Sequence, residues 1–196
     1  MATNGSNNIR VGIDIGTSKV VCLIAEYVDH ELRVIGLGSQ TSQGLKNGVI
    51  VDIESTVSAI ESAVNDAELM SGKQVTSAFV GISGGHINGL NSEGVVGIKD
   101  KKVKVSDVDR VITAAQAYAI PDESQLLHVL PRDYIIDQQN GIKEPLGMAG
   151  VRLETKVHLV TCNRNSAQNI SSCMKACGIN VEGFVLEQLA SSYSVL

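Results

Sequence analysis

Aromatic residues are nearly missing from this chain of 196 residues, which has no tryptophan, two phenylalanines and four tyrosines. Its hydrophobic content of 43% must therefore come mainly from Val, Ile, Leu and Ala. Those residues suit a layered α/β fold, because β-branched residues favour strands while Ala and Leu favour helices. The length is enough for one sizeable core, or for one core that carries a smaller second one.

Long basic runs and long apolar runs are also absent. The net charge is −5 and the longest basic run is Lys101-Lys102, so the charge pattern of a nucleic-acid-binding protein is missing. No apolar run approaches the ~20 residues that span a bilayer. The polar N-terminus, MATNGSNN, does not resemble a signal peptide. We therefore expect a cytoplasmic protein that does not bind nucleic acid.

Cysteine is scarce as well, which favours a reduced, cytosolic protein without a disulfide framework. Two of the four cysteines, Cys173 and Cys177, lie four residues apart on a predicted helix and are placed to share a metal ion. No second ligand pair has the spacing of a zinc site, however. The favoured alternative is that both are small apolar helix residues.

Hydrophobic periodicity predicts the elements of the first 83 residues. Alternation over 9–16, followed by KVVCLIAE and LRVIGLGS, predicts a meander of three strands joined by short polar turns. An apolar stripe from Ser55 predicts a helix that ends near Ser71-Gly72. The nearly continuous apolar run over 75–83 is typical of a buried parallel strand.

The amino-acid composition changes after residue 83. The Gly- and Asn-rich stretch GGHINGLNSEGVVGIKDKK predicts a loop or an irregular hairpin, followed by a helix that Ser106 caps, with Asp109 three residues later. Two strands follow, LLHVLPRDYIIDQQ and RLETKVHLVTC, separated by the loop NGIKEPLGMAG. We expect 84–162 to form a small unit of a strand or hairpin, a helix and two strands.

The last part of the chain returns to a helix over 166–177, with Ser166 as the cap and Gly178 as the stop. GINVEGFVLE predicts a strand, and EQLASSYSVL begins another helix. Because that helix shows no C-terminal signal, we expect the chain to be the N-terminal part of a longer protein.

The stretch GIDIGTSK, residues 12–19, is the main candidate for chemistry. Gly16 lets the main chain approach a phosphate closely, and the two hydroxyl residues that follow add hydrogen-bond donors. Asp14 would repel a bare phosphate but suits a hydrated Mg²⁺ that neutralises one, and Lys19 adds a compensating charge. The alternative is an ordinary hairpin with Asp14 on a wet face.

The order of elements resembles the opening of the actin-like ATPase fold, in which a DxGT hairpin begins a three-strand meander. Longer stretches resemble the FtsA family of bacterial actin homologues, namely GIDIGTSKVVCLIAE, NGVIVDIEST, ISGGHI, LLHVLPRDYIIDQQNGIKEPLGMAGVRLETKVHLVTC and LASSYSVL. The longest of these is the most specific, because it falls in an inserted subdomain that FtsA has and actin lacks.

The resemblance implies an α/β fold, the first half of an actin-like (ribonuclease H-like) ATPase with an inserted strand–helix–strand–strand subdomain. Residues 1–83 and 163–196 would form the phosphate-binding subdomain 1A, and 84–162 the inserted subdomain 1C. The second phosphate hairpin would lie beyond Leu196, so we expect this chain alone to be inactive.

The same resemblance implies ATP and Mg²⁺ as cofactors. Asp14 would act on the metal through water, and Glu187 would lie near the attacking water. The first phosphate loop would consist of Gly16, Thr17, Ser18 and Lys19. Glu187 is alternatively a solvated glutamate favoured by the start of its helix. We expect at most weak ATP hydrolysis.

The implied function is that of an ATP-binding cell division protein on the inner face of the cell membrane at the division site. It would polymerise into filaments and recruit FtsN-type late division proteins, with 84–162 contributing to both. It would tether the FtsZ ring to the membrane through regions absent from this chain. The alternatives are a pilus-assembly actin-like ATPase, or a kinase or chaperone of the same fold.

Overall fold

The computed structural model describes residues 8–117 and 120–195 and divides the chain into two compact units. Unit 1 consists of Met1–His86 and Arg164–Leu196, and unit 2 is Ile87–Asn163. The assignment of 1–83 with 163–196 and of 84–162 to named subdomains stays a prediction. In chain order the elements are β1 (Ile9–Ile15), β2 (Lys19–Val28), β3 (Glu31–Thr41), β4 (Leu45–Lys46), β5 (Val49–Ile50), α1 (Ile53–Ser71), β6 (Ser77–Ile82), β7 (Ile87–Gly97), α2 (Val105–Gln116), β8 (Ser124–Ile136), β9 (Gln139–Ile142), β10 (Arg152–Asn163), α3 (Arg164–Ala176), β11 (Asn180–Leu186) and α4 (Glu187–Val195).

Unit 1 is built on a five-stranded sheet with the order β11-β6-β1-β2-β3. The first three strands form the antiparallel meander that the alternation predicts. Strand β6 runs parallel to both β1 and β11, which confirms the parallel strand predicted for the apolar run over 75–83, but only one of its faces is buried. The sheet therefore changes from antiparallel to parallel pairing at β1.

Helix α1 covers one face of this sheet. The alternation of β1 turns Val11, Ile13 and Ile15 into the core, and it places Gly12 and Asp14 on the other face. Large side chains of that other face remain exposed, among them Phe79 at 40%. One face of the sheet is thus a packed core, and the other is open to form a site.

Two short-range signals set the ends of α1. Asp52 caps the helix, because its Oδ1 accepts a hydrogen bond from the Ser55 N–H at 3.2 Å. Gly72 ends it in the left-handed conformation, with φ of 67°. The predicted helix is confirmed and begins two residues before Ser55. No helix in the described ranges is long and apolar enough to cross a bilayer.

The C-terminal elements of unit 1 confirm the predicted order of helix, strand and helix. The cap predicted for α3 is wrong, because the helix begins at Arg164 and Ser166 is its third residue. Gly178 follows the helix with φ of 73°, the backbone conformation that favours glycine as a stop.

Unit 2 is a four-stranded antiparallel sheet, ordered β7-β10-β8-β9, with α2 packed against it. The loop or irregular hairpin predicted over the Gly- and Asn-rich stretch is wrong, because Ile87–Gly97 is one continuous strand. The strand that was the other alternative for the start of this unit is confirmed. It pairs with β10 without a break from Cys162↔Ile87 to Arg152↔Gly97. The pairing partner overrides the poor strand propensity of the stretch, because strand propensity depends on what a segment packs against.

A second correction concerns the loop predicted between the last two strands of this unit. The chain first turns back at Asp137-Gln138, whose φ angles are 45° and 77°, and forms the short strand β9 against β8. A two-residue turn with two positive φ angles matches the twist of a hairpin. The loop to β10 therefore begins only after Ile142.

The first turn of α2 is held by a buried carboxylate and not by Ser106, so the predicted cap is wrong. Asp107 is 5% exposed, and its Oδ2 accepts the backbone N–H of Lys104 at 3.0 Å. Its Oδ1 pairs with the guanidinium of Arg110 at 2.8 Å. The helix turns Val111 and Ala115 into the core, where both are fully buried.

We expect Asp107→Ala to lower the free energy of unfolding by about 1–2 kcal/mol, because it removes the hydrogen bond at the helix start and leaves the Lys104 N–H without its acceptor. Chemical denaturation of the full-length protein measures this loss. The matched control is Asp109→Ala, an exposed carboxylate on the same helix, which should change stability by less than about 0.5 kcal/mol. Equal losses in the two variants would contradict the capping role.

Candidate functional site

Asp14 lies one residue before the carboxyl end of β1, in a row of residues that crosses four strands. It is paired with Val21 of β2 on one side and with Gly81 of β6 on the other, and Gly81 in turn is paired with Val185 of β11. Paired residues share one face of a sheet, so this row lies on the open face. Neither sheet neighbour of Asp14 offers a polar side chain.

Glu187 belongs to the same corner of the sheet. It is the first residue of α4 and follows Val185 by two positions, at the carboxyl ends of the parallel strands. In α/β sheets this edge is where ligands bind. A Cβ built on Gly81 would lie 3.3 Å from Asp14 Oδ1 and 3.4 Å from Glu187 Cγ, so the glycine leaves space beside both carboxylates.

These two carboxylates have buried oxygens without hydrogen-bond donors. Asp14 Oδ1 and Glu187 Oε1 have no hydrogen-bond partner among the residues that the structure describes. Burial, followed by the charge of Glu187 and a hydrogen bond with its side chain, raises the pKa of Asp14 to about 6, while Lys19 opposes the shift. A pair of acidic groups held together in this way is a typical feature of a site that a cation completes.

The turn from β1 to β2 supplies hydrogen-bond donors and a positive charge, in contrast to the two carboxylates. The Gly16 N–H donates to the carbonyl of Lys19 at 3.0 Å, and a Cβ on Gly16 would lie 3.0 Å from that same oxygen. Within residues 8–117 and 120–195, the N–H groups of Thr17 and Ser18 donate to no backbone acceptor. The turn therefore offers free backbone donors and an ammonium group, which together suit an anion.

The carboxylates and Lys19 line one cleft of about 560 Å³ on the open face. Its lining is otherwise largely apolar and comes from four strands and α4, namely Gly12, Ile13, Val21, Leu23, Phe79, Val80, Gly81, Val185, Ala190 and Ser191. Apolar walls with a few convergent polar groups are typical of a small-molecule site. Thr17 and Ser18 lie in the turn next to Lys19.

The cysteine pair lies elsewhere in unit 1. Cys177 Sγ is 3.8 Å from the carbonyl of Val57, and burial raises the pKa of the thiols of both Cys173 and Cys177. Both thiols are free. In the described part of the chain, no three His, Cys, Asp or Glu side chains form a group that is placed to hold a metal ion.

Sequence reasoning missed two glycines around the site. Gly81 was part of the predicted strand over 75–83, and a lone glycine inside an apolar strand is a known signal of close approach. No role was predicted for Gly48, although Asn47-Gly48 is a hairpin signal. Its N–H donates to Thr17 Oγ1 at 3.2 Å.

The arrangement has a clear chemical capacity. Free backbone donors and an ammonium group bind an anion, and two facing carboxylates bind a hydrated divalent cation beside it. Of GIDIGTSK, the structure brings Gly12, Ile13, Asp14 and Lys19 into the lining of the cleft together with Glu187, whereas Gly16, Thr17 and Ser18 lie outside that lining.

The comparison with protein families gives a match to the SHS2 domain inserted in FtsA, over residues 84–161. The chain is 54% identical to the cell division protein FtsA of Pseudomonas aeruginosa, across 100% of this chain and 47% of that protein. It is 42% identical to FtsA of Escherichia coli strain K12, across 95% of this chain and 44% of that protein. The chain spans about half the length of the curated relatives it matches.

A solved structure with a similar fold is the PilM-PilN type IV pilus biogenesis complex, with a TM-score of 0.62. The match covers 94% of this chain and 49% of that chain, at 14% sequence identity, and therefore shows the fold alone. The expected fold class, an actin-like α/β fold with an inserted domain, is confirmed.

Proposed function

The chain belongs to the FtsA family of cell division proteins, and from that premise we propose that its cleft binds the phosphates and metal of Mg·ATP. The observation that carries the proposal is the pair of unpartnered carboxylate oxygens, Asp14 Oδ1 and Glu187 Oε1, beside the turn at Gly16–Lys19. Buried polar oxygens are rarely left without a partner. A hydrated cation beside bound phosphate would supply a donor to Asp14 Oδ1, and an attacking water would supply one to Glu187 Oε1.

The residues present fit such a ligand. The N–H groups of Thr17 and Ser18 and the ammonium of Lys19 hold phosphate oxygens, and Asp14 orients the hydration shell of the metal. Mg²⁺, when bound, neutralises the phosphates and the carboxylate pair. Charge neutralisation would offset the repulsion between the two carboxylates in a cleft whose lining is otherwise largely apolar.

Glu187 is our candidate for the residue that orients the attacking water. It begins α4 at the edge of the cleft, and its Oε1 is unpartnered, so it is free to accept a proton or a hydrogen bond. We propose that hydrolysis at this site is weak and that nucleotide acts as a switch for polymerisation.

The remaining parts of the proposal rest on family membership. We propose that the full-length protein forms filaments and tethers the FtsZ ring to the cytoplasmic membrane through regions outside this chain. The segment 84–162 contributes to filament contacts and to the recruitment of FtsN-type proteins. The protein then acts on the inner face of the membrane at the division site.

The test is a titration of the full-length protein with ATP in excess Mg²⁺ and again in EDTA, with sedimentation of polymers in the same samples. We expect removal of Mg²⁺ to abolish the pelleted polymer and to weaken ATP binding. Lys19→Ala should weaken binding about tenfold, because one charge-assisted contact is lost.

The matched control is Lys73→Ala, which removes an exposed lysine just after α1 and should leave binding unchanged. ATP affinity that responds neither to EDTA nor to Lys19→Ala would contradict the assignment of phosphates and metal to this cleft.

A further inference from the structure

The short hairpin of β4 and β5 presents a backbone N–H to the turn between β1 and β2, residues Gly16–Lys19, which we call the phosphate turn. Its turn residues, Asn47 and Gly48, have φ angles of 53° and 77°, which is the two-residue turn with both central residues left-handed. In such a turn the ladder does not use the N–H of the second central residue. That N–H, from Gly48, donates to Thr17 Oγ1 at 3.2 Å.

The hydrogen bond leaves the hydroxyl of Thr17 with its own proton. A hydroxyl has one donor and two acceptor positions, and Gly48 occupies an acceptor position. The oxygen is thereby held by the hairpin while its O–H remains available to a ligand. An arrangement of this kind pre-organises a side chain for binding, because its orientation is set before the ligand arrives.

The other side of the same turn lies against the chain just after β6. A Cβ on Gly48 would lie 2.5 Å from the carbonyl oxygen of Ser83 and 2.9 Å from the Cα of Gly84. A Cβ on Gly84, whose φ is 124°, would lie 2.9 Å from the carbonyl oxygen of Asn47. Two glycines therefore allow backbone to touch backbone, and neither segment can shift without displacing the other.

The base of the hairpin is fixed as well. The N–H groups of Val51 and Asp52 donate to the carbonyl oxygen of Gly44, at 2.9 Å and 3.2 Å. Asp52 is also the cap of α1. The hairpin is therefore anchored at its base beside the start of a packed helix. This anchoring restricts movement of its tip, which carries Gly48.

We propose that Gly48 is a positioning residue for the phosphate turn, and that the hairpin couples this turn to Ser83–His86, the last segment of unit 1 before the chain enters unit 2. This inference rests on the proposed binding of Mg·ATP, and it adds the residue that orients the phosphate turn for that binding. Binding of phosphate at Thr17 then tightens the Gly48 contact and restrains the 83–86 segment. Loss of the ligand releases both.

The test compares Gly48→Ala with Gly178→Ala in the full-length protein. Both glycines have similar positive φ angles, 77° and 73°, but a Cβ at 178 meets nothing within 4 Å. The two variants therefore share the backbone strain and differ in the contact with Ser83. We measure melting temperature, Mg·ATP affinity and amide hydrogen exchange of residues 14–20 and 82–87.

We expect Gly48→Ala to weaken Mg·ATP binding about three- to tenfold, as for loss of one positioning hydrogen bond, and to speed amide exchange in both segments. Gly178→Ala should lower the melting temperature without changing affinity or exchange in either segment. Equal effects of the two variants on affinity and exchange would overturn the proposal.

Substitutions at Thr17 supply the second test, which does not depend on whether Gly48→Ala folds. Thr17→Ser keeps the hydroxyl oxygen that accepts from Gly48. Thr17→Val keeps the shape of the side chain but removes that oxygen. Exchange of the Gly48 amide should accelerate at least threefold in the valine variant and not in the serine variant. An unchanged Gly48 amide in the valine variant would overturn the positioning role.

Failure of the proposed function gives a different pattern. A wild-type protein that does not bind Mg·ATP contradicts the proposed function, whereas the exchange measurements without nucleotide still decide whether Gly48 orders the turn. In a protein that does bind, Mg·ATP should slow exchange over 82–87 as well as over 14–20. Protection confined to 14–20 would contradict the coupling.

Discussion

Replacing Asp14 with asparagine should weaken Mg·ATP binding by the full-length protein about 10- to 100-fold, the range for residues that act on a metal through its hydration shell. The same variant should be more stable than the wild type without nucleotide. Both effects come from the negative charge of the Asp14 carboxylate. That charge favours binding of Mg·ATP, but without the ligand it is partly buried beside Glu187 and destabilises the folded protein.

The gain in stability should depend on pH. The pKa of Asp14 is raised to about 6 in the folded protein from 3.8, so folding favours the protonated form. Wild-type stability is therefore lost as the pH rises from about 4 through 6 and stays reduced above that, whereas asparagine does not titrate. Because the side chain is partly exposed and water screens part of the repulsion, we expect a gain of about 1–2 kcal/mol at pH 8 that vanishes near pH 4.

Thermal melting of both proteins between pH 4 and pH 8, in EDTA, measures this difference. Glu187→Gln is the companion variant, since it removes a charge that raises the pKa of Asp14, and it should reduce the pH dependence of the wild type. Identical melting of wild type and Asp14→Asn at pH 8 would contradict a cost of burying the Asp14 charge beside Glu187.

Gly38→Ala should destabilise unit 1 by about 3 kcal/mol, at the upper end of the range for overpacking. Gly38 of β3 lies under α1, and a Cβ there would be 1.8 Å from the carbonyl oxygen of Ala63 and 3.0 Å from the N of Ala67. Both contacts are backbone atoms, which cannot rotate away. The helix would have to move off the strand, and the buried contacts of Ile60 and Val64 would loosen with it.

Urea unfolding of the full-length protein measures this effect, with Gly12→Ala as the control. Gly12 is in the same sheet, but a Cβ there meets nothing within 4 Å, so the free energy of unfolding of the Gly12→Ala variant should change little. Adding Ala63→Gly to Gly38→Ala should not restore stability, because the obstacle is the carbonyl group and not the side chain. Recovery in the double variant would contradict this account.

Much of unit 1 was predictable because its signals are local. Alternation placed Asp14 on the face opposite Ile13, and the structure confirms that face. The stripe of α1 and the glycine that ends it also act within a few residues. The caps of α2 and α3 were less predictable, because several polar residues near each start compete and packing selects among them.

Strand β7 shows where local reasoning fails. Ile87–Gly97 contains three glycines and two asparagines, residues that are depleted in strands, yet it forms an unbroken ladder with β10. The signal that decides its structure lies in β10, far along the chain. A single sequence does not reveal that pairing, because strand pairing is a non-local interaction.

The sequence by itself determined the order of the longer strands and helices of unit 1, the hairpin GIDIGTSK and the membership of the family, since these depend on neighbouring residues and on stretches of matching sequence. Only the tertiary structure decided that Glu187 faces Asp14, that Gly81 leaves space beside them, and that Gly48 holds Thr17. Those contacts join segments that are distant in the chain. They exist because parallel strands bring their carboxyl ends to one edge of the sheet, where charges that no local pattern connects come to share one cleft.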